Sequence, residues 1–178
     1  MRTTTFFIGA VILVCRGTTF SEIINVPNDY PSIQDAIVAA DSDDEILVEA
    51  GTYSESIDFL GKTISVTSVS GSSNTIIDGG GQGRVISINQ AGPNTKLIGF
   101  TIQNGYTSTF GGGLYCVDSY PTITHCVFKD NNAGISNPSV HGGSIAVDHS
   151  EIKLDHVIIR SNYTSGRGGG IYFAHSIV

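Results

Sequence analysis

The sequence is short of charge and of the rarer residue types. Its 178 residues include no tryptophan, one methionine, five prolines and three cysteines, and only 14% are charged. Because 40% are hydrophobic, the composition excludes a disordered chain, which combines low hydrophobicity with high net charge. Nine basic residues against sixteen acidic ones give a net charge of −7. Such a chain lacks the positive field that non-specific nucleic-acid binding needs, so we expect no nucleic-acid partner.

The amino-terminal segment has the features of a secretory signal peptide. Arg2 precedes an apolar run of ten residues from Phe6 to Cys15, whereas a bilayer span needs about twenty. We predict that residues 1–21 are a signal peptide cleaved after Ser21. Residues 22–178 are then one secreted or cell-surface domain without a membrane span. The alternative for the apolar run is a buried strand.

Cleavage would leave two cysteines in the mature chain, Cys116 and Cys126. In an exported protein this pair could form a disulfide. The alternative is that both are small apolar residues of the core. No histidine spacing near them completes a zinc motif, so the sequence predicts no metal site there.

One helix is predicted near the amino terminus, and short strands follow it. Apolar residues at helical spacing indicate a helix over Pro31–Ala40. We interpret the acidic residues after it as solvated charge, with a Ca²⁺ site as the alternative; they are Asp41, Asp43, Asp44 and Glu45. Runs rich in β-forming residues then predict strands at Glu45–Val48, Lys62–Val66, Thr75–Ile77, Arg84–Ile88 and Lys96–Ile102.

Two sequence elements recur in the second half of the chain. A glycine pair before an apolar residue starts at Gly112, Gly142 and Gly169, at spacings of 30 and 27. An apolar element recurs at offsets of 26 and 31, as Leu97/Ile123/Leu154, Phe100/Cys126/Val157 and Ile102/Phe128/Ile159. A strand-only unit of this length cannot bury its apolar face alone, so neighbouring units must stack. We predict an all-β fold, a right-handed parallel β-helix with rungs about 4.8 Å apart and a short amino-terminal capping helix.

The offsets also predict which residues point inward and which outward. The Phe100 and Ile102 rows should be interior, and Asn131 and Asn162 should occupy a corner. Alternation then turns three rows outward: Gly99/His125/His156, Thr101/Val127/Ile158 and Gln103/Lys129/Arg160. We interpret Asp118 and Asp148 as matching corner residues.

The outward rows supply the candidate ligand-binding residues. A stripe of histidine and basic side chains on an acidic protein could bind an anionic or neutral polysaccharide, and ordinary surface decoration of a sheet is the alternative. The stripe consists of Gln103, His125, Lys129, His156 and Arg160.

Several segments resemble secreted β-helix proteins of the pectin-lyase-like superfamily. Tyr30–Ile37, Ile46–Val48, Gly51–Tyr53 and Thr75–Gly79 are similar to that superfamily's amino-terminal cap and first coils. The glycine-pair and Phe/Ile-x-x-Asn elements resemble repeats of polymorphic outer-membrane proteins, which are adhesins and autotransporters. The resemblance covers about Ile24 to Val178 and implies a fold rather than an activity, because the fold hosts lyases, esterases, hydrolases and adhesins.

Catalytic motifs of these families are not matched. The segment Gly51–Glu55 fits a pectin methylesterase pattern, but that family's catalytic elements are absent, and only Val140–Gly142 faintly resembles a polygalacturonase motif. We therefore expect a binding or structural module, adhesin-like or carbohydrate-binding, whose partner is a polysaccharide or another cell-surface component. The alternative is a polysaccharide lyase or hydrolase, possibly a fragment without its catalytic residues. The last repeat stops before its second strand, which predicts a truncated chain or self-association through an open coil.

Overall fold

The computed structural model describes residues 21–134, 139 and 141–176. The predicted signal peptide lies outside the described residues except for Ser21. In the part of the chain that is described, no helix is long and apolar enough to cross a membrane.

The described residues form an all-β structure of parallel sheets, with strands numbered here in chain order. Sheet I contains β1 (Ile23–Val26), β2 (Glu45–Val48), β5 (Ser65–Ser68), β8 (Lys96–Ile98), β12 (Thr122–Thr124) and β16 (Lys153–Asp155). Sheet II contains β3 (Gly51–Tyr53), β6 (Thr75–Asp78), β9 (Thr101–Gln103), β13 (Val127–Lys129) and β17 (Ile158–Arg160). Sheet III contains β4 (Ile57–Asp58), β7 (Ile86–Asn89), β11 (Leu114–Val117), β15 (Ile145–Asp148) and β19 (Ile171–Ala174). Sheet IV contains β10 (Tyr106–Thr107), β14 (Asn132–Ala133) and β18 (Tyr163–Thr164).

The chain passes through these sheets in a repeated order. From β8 onward each circuit visits sheets I, II, IV and III, and each strand pairs in parallel with its equivalent in the next circuit. The circuits that begin with β2 and β5 visit sheets I, II and III. Equivalent residues therefore stack in rows along the molecule, with a rung spacing of about 4.8 Å.

The helix α1 (Ile33–Ala39) lies between β1 and β2 and is held at both ends by side chains from later in the chain. Ser32 is its N-cap, so Pro31 precedes the helix, whereas the predicted helix began at Pro31. The Glu55 carboxylate accepts hydrogen bonds from the backbone N–H groups of Ile33 and Gln34 at 3.0 and 2.9 Å. Lys62 donates to three carbonyls of the last turn and the C-cap, those of Ile37, Val38 and Ala40. Both partners complement the helix dipole.

The strand predicted over Lys96–Ile102 is two strands, β8 and β9. Gly99 has φ +78° between them and turns the chain from sheet I to sheet II. His125 and His156 make the same bend in the next circuits, with φ of 53° and 50°. The prediction of a single strand was wrong because Gly99 adopts the left-handed conformation, which interrupts the extended backbone of a strand.

The glycine repeat is shifted by one residue from the predicted alignment. Leu114 pairs with Ile145 and Ile145 with Ile171, so the offsets are 31 and 26 and not 30 and 27. The equivalent glycines are those with positive φ, namely Gly111, Gly142 and Gly168, at 65°, 71° and 67°. With this register Asp148 pairs with Val117, so Asp118 matches His149 and the predicted match of Asp118 with Asp148 is wrong.

The predicted interior rows lie in the core, and their last members, Leu154, Val157 and Ile159, are partly buried and pack against it. Phe128 pairs with Ile102 on one side and Ile159 on the other, and its side chain is fully buried. Phe100 and Cys126 are also fully buried. Thr101 lies in the predicted outward row but is only 7% exposed, because the turn at Ser72 covers it and accepts a hydrogen bond from its hydroxyl at 2.7 Å.

The two cysteines are free thiols buried in the core. Cys116 lies in β11 of sheet III, whereas Cys126 precedes β13 of sheet II. Of the two possibilities left open by the sequence, the disulfide is not formed, and the structure agrees with the other, that both are small apolar core residues. Burial raises the pKa of each thiol to about 11.

Candidate functional site

Three of the five predicted ligand-binding residues share one row on sheet II. Gln103 pairs with Lys129 and Lys129 with Arg160. The row continues in the preceding circuit to Asp78, which pairs with Gln103 and accepts a hydrogen bond of 2.6 Å from its Nε2. Equal offsets in the sequence place these side chains together because equivalent strands pair in register.

The two predicted histidines form a separate group at the other end of the same strands. His125 and His156 precede β13 and β17, whereas Lys129 and Arg160 end them. The imidazole rings stack with centroids 4.8 Å apart and an angle of 2° between their planes. The predicted five-residue stripe is therefore divided into a histidine stack and a polar row.

An open groove of about 680 Å³ lies next to the polar row. Its size is within the range of small-ligand sites. The polar groups that line the groove are mainly two carboxylates, two side-chain amides and one tyrosine. The lining residues are Ser54, Asp78, Gly80, Gly81, Asn104, Gly105, Tyr106, Asp130 and Asn132.

Asp78 is held in a fixed position at the groove. Gln103 and Gly80 donate to its carboxylate, and the Asn104 amide donates to both oxygens, at 3.0 and 2.9 Å. Burial raises the pKa of this carboxyl, but these hydrogen bonds together with the charge of Lys129 outweigh it and lower the pKa below its ordinary value. The carboxylate is therefore ionised at neutral pH.

The second carboxylate of the groove is only loosely paired. Lys129 Nζ lies 3.9 Å from Asp130 Oδ2, and the Asp130 side chain is 49% exposed. An exposed pair at this distance contributes little to stability. Both charges are therefore accessible to a hydroxyl-bearing ligand.

Tyrosines form a third row beside the groove, on sheet IV. Tyr106 pairs with Asn132, and Asn132 with Tyr163. The two tyrosines are 40% and 54% exposed, and two rungs separate them by about 9.6 Å. The row follows the same offsets of 26 and 31 as the predicted rows, so the sequence did contain the signal that would have revealed it.

One buried and one half-buried amide shape the corner between sheets II and IV. Asn131 Nδ2 donates to the Ile102 carbonyl at 3.0 Å, and its Oδ1 accepts from the Gly105 N–H at 2.9 Å. Asn162 repeats the arrangement by accepting from the Asn131 N–H at 2.9 Å. The predicted corner role of both asparagines is confirmed. The hydrogen bond from Gly105 to Asn131 also holds in place a residue that lines the groove.

The acidic turn after α1 contains a structural carboxylate. Asp44 is 5% exposed. Its Oδ1 accepts from the Glu22 N–H at 2.7 Å and its Oδ2 from the Asp41 N–H at 2.8 Å. These bonds tie the turn to the start of β1, so Asp44 has a structural role there.

A second aromatic surface on sheet III is already filled by its own side chains. The Phe110 ring stacks on Tyr115 at 6.4 Å and on Tyr172 at 6.3 Å, above Ala146, which separates the two tyrosines in the sheet. The cavity there is only about 70 Å³. The groove beside sheet IV is thus the better candidate for a ligand.

Comparison with known proteins finds no matching family model, curated protein or solved structure. The assignment of a function rests on the residues of this chain.

Proposed function

We propose that the chain is an exported or cell-surface module with the right-handed parallel β-helix fold of the pectin-lyase-like superfamily, and that it binds a polysaccharide in the groove. The repeated circuit through sheets I, II, IV and III supports the fold. The packing of α1 against β1, β2 and β4 supports its role as the amino-terminal cap.

The observation that carries the binding function is the combination of exposed tyrosines with fixed polar groups. Tyrosine rings offer an apolar face and a polar tip, which suits the C–H faces and hydroxyl edges of a sugar ring. The Asp130 carboxylate accepts hydrogen bonds from hydroxyls and Lys129 donates to them. Asp78 already accepts four hydrogen bonds and therefore serves to hold Gly80 and Asn104 in place at the groove. Because the rows run along the molecule, successive sugar units of a chain would meet equivalent positions of successive circuits.

The charges favour a neutral polysaccharide. Two carboxylates line the groove, and the whole chain has a net charge of −7, so a polyanion would be repelled at long range. Lys129 and Arg160 belong to the polar row and not to the groove lining, so they offset this repulsion only locally. This refines the expectation of an anionic or neutral ligand.

A glycan array with neutral and anionic polysaccharides tests the proposal. We expect the wild-type protein to bind neutral glycans. The Tyr106→Ala/Tyr163→Ala variant should bind at least about tenfold more weakly, a loss of about 1.4 kcal/mol. Tyr120→Ala is the matched control, since Tyr120 is 52% exposed but precedes β12 of sheet I and lies outside the tyrosine row of sheet IV.

The outcomes separate the competing interpretations. Unchanged binding by His125→Ala, with weaker binding by Lys129→Ala, would support the groove over the original stripe. Absence of binding to every glycan, or an equal loss in Tyr120→Ala, would refute the proposal. Cleavage of pectin or alginate, assayed with and without Ca²⁺, would favour the lyase or hydrolase alternative.

A further inference from the structure

A second polar cluster lies on sheet III, away from the groove. His149 and His175 directly follow β15 and β19, in equivalent positions of consecutive circuits. Both adopt the left-handed conformation, with φ of 45° and 50°, and the His149 N–H donates to the Ala174 carbonyl at 3.2 Å. Their rings stack with centroids 4.6 Å apart and an angle of 17° between planes.

Both imidazoles direct the same nitrogen at one carboxylate oxygen. The Nδ1 atoms of His149 and His175 lie 2.9 and 3.3 Å from Asp148 Oδ1. One ligand atom from each of the three residues lies within 4.8 Å of the other two. The side chains of His149 and His175 are 58% and 72% exposed, so solvent reaches the cluster directly.

We propose that Asp148, His149 and His175 form a binding site for a divalent transition-metal ion, with Zn²⁺ as its best representative. Two imidazoles and one carboxylate suit Zn²⁺, Ni²⁺ or Cu²⁺, whereas Ca²⁺ and Mg²⁺ prefer oxygen ligands alone. A tetrahedral Zn²⁺ with ligands at 2.0–2.1 Å holds them about 3.3 Å apart. The two Nδ1–Oδ1 distances of 2.9 and 3.3 Å are close to that value. The two stacked rings must tilt toward each other's planes on binding, because an imidazole nitrogen binds a metal in the plane of its own ring.

The chemistry of binding is simple. Each ring takes the tautomer with its proton on Nε2, which leaves the Nδ1 lone pair for the metal. Asp148 exchanges its two hydrogen bonds for a bond to the metal, and water completes the coordination. The site is on a different sheet from the groove and does not depend on glycan binding.

The histidine stack of His125 and His156 provides a natural control. Its rings stack at 4.8 Å, but only His156 Nδ1 faces a carboxylate, Asp155 Oδ1, at 2.8 Å. His125 Nδ1 instead contacts the Thr124 hydroxyl at 2.9 Å. Among the described residues, this stack does not form a group of three ligands within metal-binding distance.

Isothermal titration of tag-free, chelator-treated protein with ZnCl₂ tests the site. We expect one Zn²⁺ per chain for the wild type and for His156→Ala, and loss of this binding in His149→Ala and His175→Ala. Circular dichroism should show all variants folded, since the replaced side chains are exposed. Titration with CaCl₂ should give no binding at this site.

Three results would overturn the proposal. They are absence of Zn²⁺ binding by the wild type, unchanged binding by the His149→Ala/His175→Ala double variant, and an equal loss of binding in His156→Ala.

Discussion

Replacing Phe128 with alanine would remove the largest side chain of the Ile102/Phe128/Ile159 row. The ring is fully buried and pairs with isoleucine rungs on both sides, in β9 and β17. The cavity left by the missing ring cannot close easily, because the paired strands fix the backbone on both sides. The cost should therefore be in the upper part of the usual range for an aromatic core truncation, about 3–5 kcal/mol.

Urea denaturation followed by circular dichroism measures this cost. Lys129→Ala is the matched control, because it changes the next residue of the same strand, whose side chain is 26% exposed. We expect the control to lose less than about 0.5 kcal/mol. Equal losses for the two variants would refute the register, because a shift by one residue exchanges the inward and outward side chains.

Three further predictions concern glycine packing, acid stability and thiol reactivity. Gly143→Ala should destabilise the protein by about 1–3 kcal/mol in the same assay, because the added Cβ would overlap backbone of the next circuit. Gly83→Ala should leave the free energy of unfolding nearly unchanged, since its Cβ would meet only one atom, at 3.8 Å. Equal losses of stability in the two variants would contradict this explanation. The pKa of Asp78 is lowered in the folded protein, so its carboxylate stabilises the fold at pH values above its unfolded-state pKa, about 3.9, and this contribution is lost as pH falls through the folded-state pKa. The difference in unfolding free energy between wild type and Asp78→Asn should therefore shrink below about pH 4. A constant difference from pH 6 to pH 3 would refute this prediction. Cys116 and Cys126 each have a pKa raised to about 11, so they should react with iodoacetamide at pH 8 far more slowly in the native protein than in the urea-unfolded protein. Peptide mass spectrometry measures the extent of alkylation. Equal rates in the two states would contradict the prediction.

The sequence alone determined the rows of side chains. Offsets of 26 and 31 between equivalent apolar residues correctly placed Phe128 between Ile102 and Ile159, and the same offsets aligned Gln103 with Lys129 and Arg160. This was possible because parallel strands stacked in register repeat the environment of each position, so side-chain types recur at the same interval.

The tertiary structure decided where the chain bends between sheets and which side chains come together in the groove. Histidine in the left-handed conformation turns the chain at His125 and His156, and no local pattern distinguishes this bend from a continuous strand. The histidines precede β13 and β17, whereas Lys129 and Arg160 end them, so each strand separates the two groups. The groove combines segments from Ser54 to Asn132, which only the winding of the chain brings together.

The histidine cluster of sheet III depends on a shift of one residue in the alignment of the glycine repeat. The glycine repeat read at spacings of 30 and 27 aligns Asp148 with His175, whereas the paired strands align His149 with His175. Sequence similarity between glycine-rich elements fits either alignment equally well. Hydrogen bonding between β15 and β19 fixes one of them, because a slip of one residue would turn the buried side chain of Ile145 to the surface and an outward one into the core.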